Sequence, residues 1–242
     1  MKLILFLTLL NVARAQEGPP PLDDAEQKKL IADVTAHALG YSKDLPDFVC
    51  TEVIRKNEDP TATSRRWKLL DTIHEQVTFR GKQEEFREVL NNGKKADSEG
   101  KPNWMVSPND FSDMISWIFD PKYHATFQWS KWDSLRGHRV HEIAYVVKPD
   151  DSQLTVGKKQ TRVGMIGLID VDADTGVVLK ISMVATGLTK NSPVAAVSRE
   201  FNYDFAKIGD HYYLLPLKAD MQAREGHTLT WNEFEFRDYR KP

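Results

Sequence analysis

The spacing of apolar residues along the chain changes from a helical period to an alternating period near residue 47. Before that point, apolar residues recur every three or four positions, which predicts one amphipathic helix. We expect Asp24 to be its N-cap and Gly40 to end it. The apolar face of such a helix has to pack against a partner surface. Its members are Leu30, Ile31, Val34, Ala38 and Leu39.

From residue 47 onward, apolar and polar residues alternate in about ten segments that are separated by turn sequences. In one of them, Val197, Phe201 and Tyr203 share a face, with Glu200 and Asn202 on the other. This period is typical of an antiparallel sheet with one buried face. Strands joined by short turns are usually neighbours, and a sheet of this width has to curl or close to manage its twist and its edges.

A second helix is predicted within "SPNDFSDMISWIFDP", where Ser107 suits the N-cap, Pro108 the first turn and Asp110 a capping box. Pro121 should end it. The polar stretch 94–103 should be a loop that follows a hairpin turn at Asn92-Gly93. We therefore predict an α+β fold, in which two helices cover the concave face of a strongly curved antiparallel sheet, an unclosed β-barrel of about ten strands.

The first residues, "MKLILFLTLLNVARAQ", have the features of a secretory signal peptide. A basic residue precedes an apolar run too short to cross a bilayer, and Ala13 and Ala15 suit the signal peptidase. We predict cleavage after Ala15, a flexible linker at 16–24 and a single domain at 25–242. The mature protein should be periplasmic or secreted, and no later stretch is apolar enough for a transmembrane segment.

Charge and cysteine content narrow the possible functions. The chain has 33 basic and 35 acidic residues, and removal of Lys2 and Arg14 with the signal peptide would leave 31 against 35. The basic residues are scattered, which argues against nucleic acid as a partner. Cys50 is the single cysteine, so no intrachain disulfide can form. Its position in a predicted strand favours a buried small apolar side chain over a reactive thiol.

Known catalytic and metal-binding motifs do not match this sequence. "DVDADTG" starts like a calcium loop, but Thr175 and Ile181 occupy the positions where that loop needs glycine and glutamate. A β-turn in which Gly176 adopts positive φ fits the segment better. No nucleophile elbow, HExxH pair or phosphate-binding glycine loop occurs. We predict no catalytic residues, no metal and no cofactor.

The aromatic residues are the remaining candidates for a functional site. Six tryptophans are a high count, and they suit either core packing or the walls of a groove that holds an acyl chain or another apolar ligand. Sequence does not separate these two interpretations. The candidate cavity residues on strands and on the second helix are Trp67, Phe79, Trp117, Phe119, Phe127, Trp129 and Tyr145.

Two segments resemble parts of the bacterial LolA-like superfamily, which includes outer-membrane lipoprotein carriers and the sensor domains of MucB/RseB-type regulators. "LIDVDADTGVVLKISM" is similar to a recurring strand–turn–strand hairpin of that group, and "FNYDFAKIGDHYYLLPLKADM" to its late strand pair. The resemblance implies an unclosed barrel with an apolar cavity under helices and no enzymatic activity.

Three functional hypotheses follow. The first is an exported binding protein whose concave face holds a lipid or a lipidated protein. The second is a periplasmic sensor or scaffold that has a filled core and binds another protein. The third is an enzyme of unrecognised type, which would need a polar, solvent-accessible cluster with strongly perturbed pKa values.

Overall fold

The structure, a computed structural model, describes residues 19–81, 83–91, 110–156, 161–188 and 194–242. The predicted signal peptide and cleavage site, the predicted turn at Asn92-Gly93 and loop at 94–103, and the predicted helix start at Ser107 and Pro108 lie outside these residues. The described part contains two α-helices, α1 (Asp24–Asp44) and α2 (Asp110–Phe119). Its strands, in chain order, are β1 (Phe48–Asp59), β2 (Lys68–Arg80), β3 (Gln83–Asn91), β4 (Thr126–Leu135), β5 (His138–Val147), β6 (Thr155–Val156), β7 (Thr161–Arg162), β8 (Gly164–Asp172), β9 (Val178–Thr186), β10 (Val194–Ile208), β11 (His211–Glu225) and β12 (Thr228–Arg240).

Ten of these strands form one sheet in the order β3-β2-β1-β12-β11-β10-β9-β8-β5-β4, while β6 and β7 pair separately. Every neighbouring pair is antiparallel. Because β3 and β4 lie at opposite ends of this order, the sheet is unclosed. The predicted α+β fold, with an unclosed antiparallel sheet and two helices, is confirmed.

Both ends of α1 differ from the prediction. Its N-cap is Asp23 rather than Asp24, since the Asp23 carboxylate accepts from the backbone of Ala25 and Glu26 at 2.8 Å. Gly40 does not end the helix, which continues to Asp44. Leu45 then adopts an extended conformation. It precedes a proline, and the proline ring disfavours helical geometry at the residue before it.

The end of α2 agrees with the prediction that Pro121 stops it. The helix ends at Phe119, and a short 3-10 turn follows at Pro121–Tyr123. The carboxylate of Asp120 caps this turn by accepting from the backbone N–H of Lys122 at 3.0 Å.

One apolar row crosses the sheet through directly paired residues of nine neighbouring strands. Side chains of paired residues lie on the same face of an antiparallel sheet, so all members face one way. We call them the apolar row. In sheet order they are Ile73, Ile54, Phe234, Ala219, Phe201, Ile181, Ile169, Ile143 and Trp129.

Both helices pack on the face that carries the apolar row, which we call the helix-covered face. Val34 and Ala38 of α1 and Ile115 and Ile118 of α2 are buried in one cluster with side chains of β5 and β8–β11. Burial of each large aliphatic side chain contributes ~1.5–3 kcal/mol. The helices are therefore held on the sheet mainly by apolar contact.

The sheet divides between β11 and β12. Their ladder runs from Glu225 paired with Thr228 to Lys218 paired with Glu235, and beyond it β11 follows β10 while β12 follows β1. Pro216 lies in the divided part, where β11 does not need its missing N–H for a bond to β12. A second cluster of buried side chains fills the division: Phe48, Cys50, Val77, Phe79, Ile208, Leu215 and Phe236. Cys50 is thus a buried free thiol, as predicted.

A glycine allows a tyrosine to lie across the centre of the sheet. Tyr145 on β5 is directly paired with Gly167 on β8, and its hydroxyl donates to the backbone carbonyl of Ser182 on β9 at 3.1 Å. A Cβ atom at position 167 would come within 1.9 Å of that carbonyl oxygen and 2.7 Å of the Tyr145 ring. Any larger residue at 167 would therefore displace the ring and the strand.

We expect Gly167→Ala to lower the free energy of unfolding by about 3 kcal/mol, because the added methyl overpacks against backbone. Urea denaturation would measure this change. The control is Gly40→Ala in α1, where an added methyl would lie 3.8 Å from a carboxylate oxygen of Asp44, an ordinary van der Waals contact. That variant should be more stable than wild type by about 1 kcal/mol. Wild-type stability of Gly167→Ala would contradict the described packing.

Candidate functional site

The structure brings several of the sequence-predicted aromatic residues together between α2 and β4. The rings of Phe119 and Phe127 are stacked, with centroids 5.0 Å apart. Trp117 contacts Tyr123 edge-to-face at 5.8 Å. We call these four residues the aromatic wall. Trp117 and Phe127 are only partly buried, so the wall runs from the core toward the surface.

Tyr145 and Trp129 lie beside the aromatic wall on the helix-covered face. Tyr145 is directly paired with Phe127 and is 1% exposed. Trp129 is the β4 member of the apolar row and is 9% exposed. The structure thus places Trp117, Phe119, Phe127, Trp129 and Tyr145 in one region.

The other two predicted cavity residues lie elsewhere. Trp67 precedes β2 and contacts Trp231 edge-to-face at 5.6 Å. Trp231 follows Thr230 and precedes Asn232 on β12, and alternation places it on the face opposite the helices. Phe79 stacks on Phe48 at 5.2 Å in the second cluster. Spacing along single strands could not show this separation, because it depends on which strands become neighbours.

A buried histidine supports the tryptophans of β4. The indole N–H of Trp129 donates to Nδ1 of His141 at 3.2 Å. The Trp132 ring lies 4.1 Å from the His141 ring, and the Arg139 guanidinium lies over Trp132. Burial, and then the charge of Arg139, lower the pKa of His141. His141 is therefore held as a neutral hydrogen-bond acceptor.

The helix-covered face also carries buried polar side chains, which the sequence interpretation missed. The alternation of apolar and polar positions could have identified them, because each of these polar residues lies at an inward position of its strand. Arg199, for example, lies between the inward-facing Val197 and Phe201. We use the name polar group for four buried residues, Glu52, Glu75, Arg199 and Asn232, together with the half-buried Lys56.

The polar group lies on both sides of the apolar row. Glu52 and Glu75 are directly paired and buried on one side of it. Lys56 is directly paired with Asn232 on the other side. Burial lowers the pKa of Lys56, while the charges of Asp71 and Glu75 oppose that shift. The buried face is therefore chemically divided rather than uniformly apolar.

The "DVDADTG" turn binds its own carboxylate internally. One oxygen of the Asp172 carboxylate accepts from the backbone N–H and the hydroxyl of Thr175, both at 2.8 Å, and the other lies 2.7 Å from Nδ1 of His138. Although burial raises the pKa of Asp172, these hydrogen bonds outweigh it and lower the pKa overall. Gly176 has φ of 72°, as predicted for this turn. Within the described residues, no three His, Cys, Asp or Glu side chains converge as metal ligands.

Two cavities of about 350 Å³ open on described residues. One lies at the division between β11 and β12 and is crossed by a hydrogen bond from the Tyr239 hydroxyl to the Pro216 carbonyl at 2.6 Å. The other lies at the C-terminal end of α1, between Tyr41 and Tyr212. Neither cavity is lined by the aromatic wall.

The face opposite the helices is not entirely polar. Val146, Ile166 and Val184 are directly paired across β5, β8 and β9, and Leu168 lies beside them. All four are exposed. We call them the outer patch. Contiguous exposed apolar side chains of this kind often mark contact surfaces.

Comparison of the sequence with known proteins gives no match. No family model matches the chain, and no curated protein matches it. Within the described residues, no helix combines the length and the apolar composition needed to cross a bilayer.

A comparison with solved structures returns matches of low sequence identity. A LolA superfamily protein from Nitrosomonas europaea is 11% identical over 89% of this chain and 93% of its own, with a TM-score of 0.41. A DUF1329 family protein from Desulfovibrio piger is 10% identical over 88% and 92%, with a TM-score of 0.43. A MucA/MucB complex structure from Pseudomonas aeruginosa is 13% identical over 85% and 94%, with a TM-score of 0.24. The superfamily that the sequence resembles is thus also named among the structural matches.

We expect the unfolding free energy to fall below a pH of ~6.5, where the unfolded state protonates His141 but the folded state resists it. The sign follows from the lowered pKa of His141 in the folded protein. His141→Asn keeps an acceptor for Trp129 and should reduce this slope, by at most ~1.4 kcal/mol per pH unit. Denaturation between pH 5 and 7.5 would measure it. His227→Asn, at an exposed turn, should keep the wild-type slope, and an unchanged slope in His141→Asn would contradict the assignment.

Proposed function

We propose that this protein is an exported, non-enzymatic binding protein that holds a lipid or another apolar ligand between its two helices and the apolar row. The observation that carries the proposal is the length of that row compared with its helical cover. The helices share a cluster with β5 and β8–β11. The row continues beyond them to Ile54 and Ile73, which are also buried, at 2% and 8% exposure, but belong to neither cluster. The buried apolar floor is thus longer than the part that clusters with the helices.

The attachment of the helical cover supports the proposal. The Tyr41 hydroxyl donates to the Leu214 carbonyl at 3.0 Å, and His37 contacts the Gly176 carbonyl at 3.2 Å. Both contacts lie in the C-terminal half of α1. The buried side chains of both helices in the shared cluster add apolar, non-directional contact, so a bound acyl chain could replace those contacts with contacts of the same kind.

The aromatic wall supports an entry point between α2 and β4. Its partly buried members, Trp117 and Phe127, extend the apolar floor toward the surface. Aromatic rings provide large apolar area with few rotatable bonds, which suits a site that accepts an apolar chain. We therefore place the ligand's entry at this wall.

Export is part of the proposal, and it rests on the signal-peptide features of residues 1–15. Mass spectrometry of the protein recovered from the exporting cell should give a chain that begins at Gln16. A chain that retains Met1 and Lys2 would contradict export through this signal.

We expect Trp117→Ala to weaken uptake of a fluorescent fatty acid about tenfold, because an aromatic contact contributes ~1.5 kcal/mol. Fluorescence titration would measure affinity, and native mass spectrometry of gently purified protein would detect retained lipid. Trp67→Ala is the matched control, since Trp67 is also partly buried and also contacts one ring edge-to-face. It should bind like wild type. Equal loss in both variants, or no uptake by wild type, would contradict the proposal.

A protein partner is the second candidate, and the outer patch favours it. Its four exposed apolar side chains lie on a face that the helices leave uncovered. A one-to-one complex with another protein, formed without lipid and lost in Ile166→Lys, would favour this alternative. The Trp117→Ala comparison tests the lipid function independently, because Trp117 lies on the helix side of the sheet.

A further inference from the structure

A line of polar side chains runs parallel to the apolar row on the helix-covered face. Lys56 is directly paired with Asn232, Asn232 with Met221, and Met221 with Arg199. Each lies two residues from a member of the apolar row on its own strand, so the line and the row are adjacent. Three of its four members carry N–H donors.

Asn232 is the member whose chemistry points to a ligand. It is 2% exposed, yet within the described residues no acceptor contacts its side-chain Nδ2. Leaving a buried donor without an acceptor costs ~1–3 kcal/mol. An apolar residue of similar size, such as leucine, would avoid that cost. The amide thus offers a hydrogen bond that the described residues do not use.

The charges around Asn232 indicate which group would accept that bond. Lys56 lies directly beside it, and Arg199 lies two strands away in the same line. Asp71, paired with Lys56, is the acid at the end of this line. Lys56 and the more distant Arg199 thus present positively charged donors on the side of the apolar row where Asn232 lies. The charges of Asp71 and, from across the row, Glu75 also act on Lys56.

An anion bound over this line would stabilise the charged form of Lys56. Burial disfavours the charged form of Lys56, and its pKa is lowered as a result. A negative oxygen beside the ammonium would favour the charged form again. Hydrogen bonds from an amide and from cationic side chains to an anionic oxygen are also stronger than those between neutral groups.

We propose that Asn232, flanked by Lys56 and Arg199, binds the anionic head group of an amphiphile whose apolar chain lies on the adjacent apolar row. The head group is a carboxylate or a phosphate monoester, which share negatively charged acceptor oxygens. This inference rests on the proposed lipid-binding function and specifies the ligand class of the same site.

The test is displacement of the neutral fluorophore N-phenyl-1-naphthylamine by hexadecan-1-ol, hexadecanoate and hexadecyl phosphate, each below its micelle-forming concentration. Wild type should bind at least one of the anions about tenfold more tightly than the alcohol, as expected for a charge-assisted hydrogen bond. The anion that binds more tightly identifies the head group as carboxylate or phosphate.

Asn232→Leu should reduce the preference for the anion to within about twofold while keeping affinity for the alcohol, because only the donor is lost. Met221→Leu is the matched control, since Met221 lies in the same line and is apolar. It should keep the wild-type preference. Asn232→Asp is the second variant, which keeps the side-chain shape and should repel the anions without changing alcohol binding.

The outcomes separate the two claims. Equal affinity of wild type for the alcohol and both anions would overturn the anionic subsite but leave the proposed function standing. The same holds if Asn232→Leu and Asn232→Asp both keep the wild-type preference. Failure of all three compounds to displace the fluorophore from wild type would overturn the lipid-binding function itself.

Discussion

The apolar row has to be kept from water, and the rest of the structure depends on that constraint. It crosses nine strands through direct pairs, so its continuity requires every strand to keep its register. A slip of one residue would turn a whole strand's apolar side chains to the other face. The helices are placed by the same constraint, since Val34 and Ile118 are buried against this face. Gly167 serves the same constraint, because the absence of a side chain there leaves room for the Tyr145 ring beside the row.

The polar residues beside the apolar row add a second chemical property to the same buried face. A buried face made only of apolar side chains would bind apolar chains without regard to their head groups. Here Asn232 and Arg199 lie along one side of the row, and Glu52 and Glu75 on the other. In the proposed function, the apolar row would supply the affinity for an apolar chain, and the polar side chains beside it would distinguish between head groups.

Sequence predicted the fold well where local pattern decides it. Alternation identified Phe201 and Tyr203 as inward-facing, and Pro121 marked the end of α2. The errors concern interactions that spacing does not encode. Gly40 permitted a helix stop, but the restraint from Pro46 on Leu45 set the actual end. Trp67 and Trp117 look alike in sequence and lie on opposite sides of the sheet. Alternation along β10 also places Arg199 at an inward position, but a charged residue is not expected in a buried face, so the sequence did not predict it as a site residue.

The central claim is that the helices form a separable cover over the apolar row and that a ligand takes the place of their contacts. Hydrogen–deuterium exchange with and without hexadecanoate tests this most directly. The account predicts that amides of α1 and α2 exchange faster than those of β8 and β9 in the free protein, and that the ligand changes the exchange of the helices far more than that of the strands. Helices that exchange only with global unfolding, and that respond to ligand no more than β8 and β9 do, would contradict it.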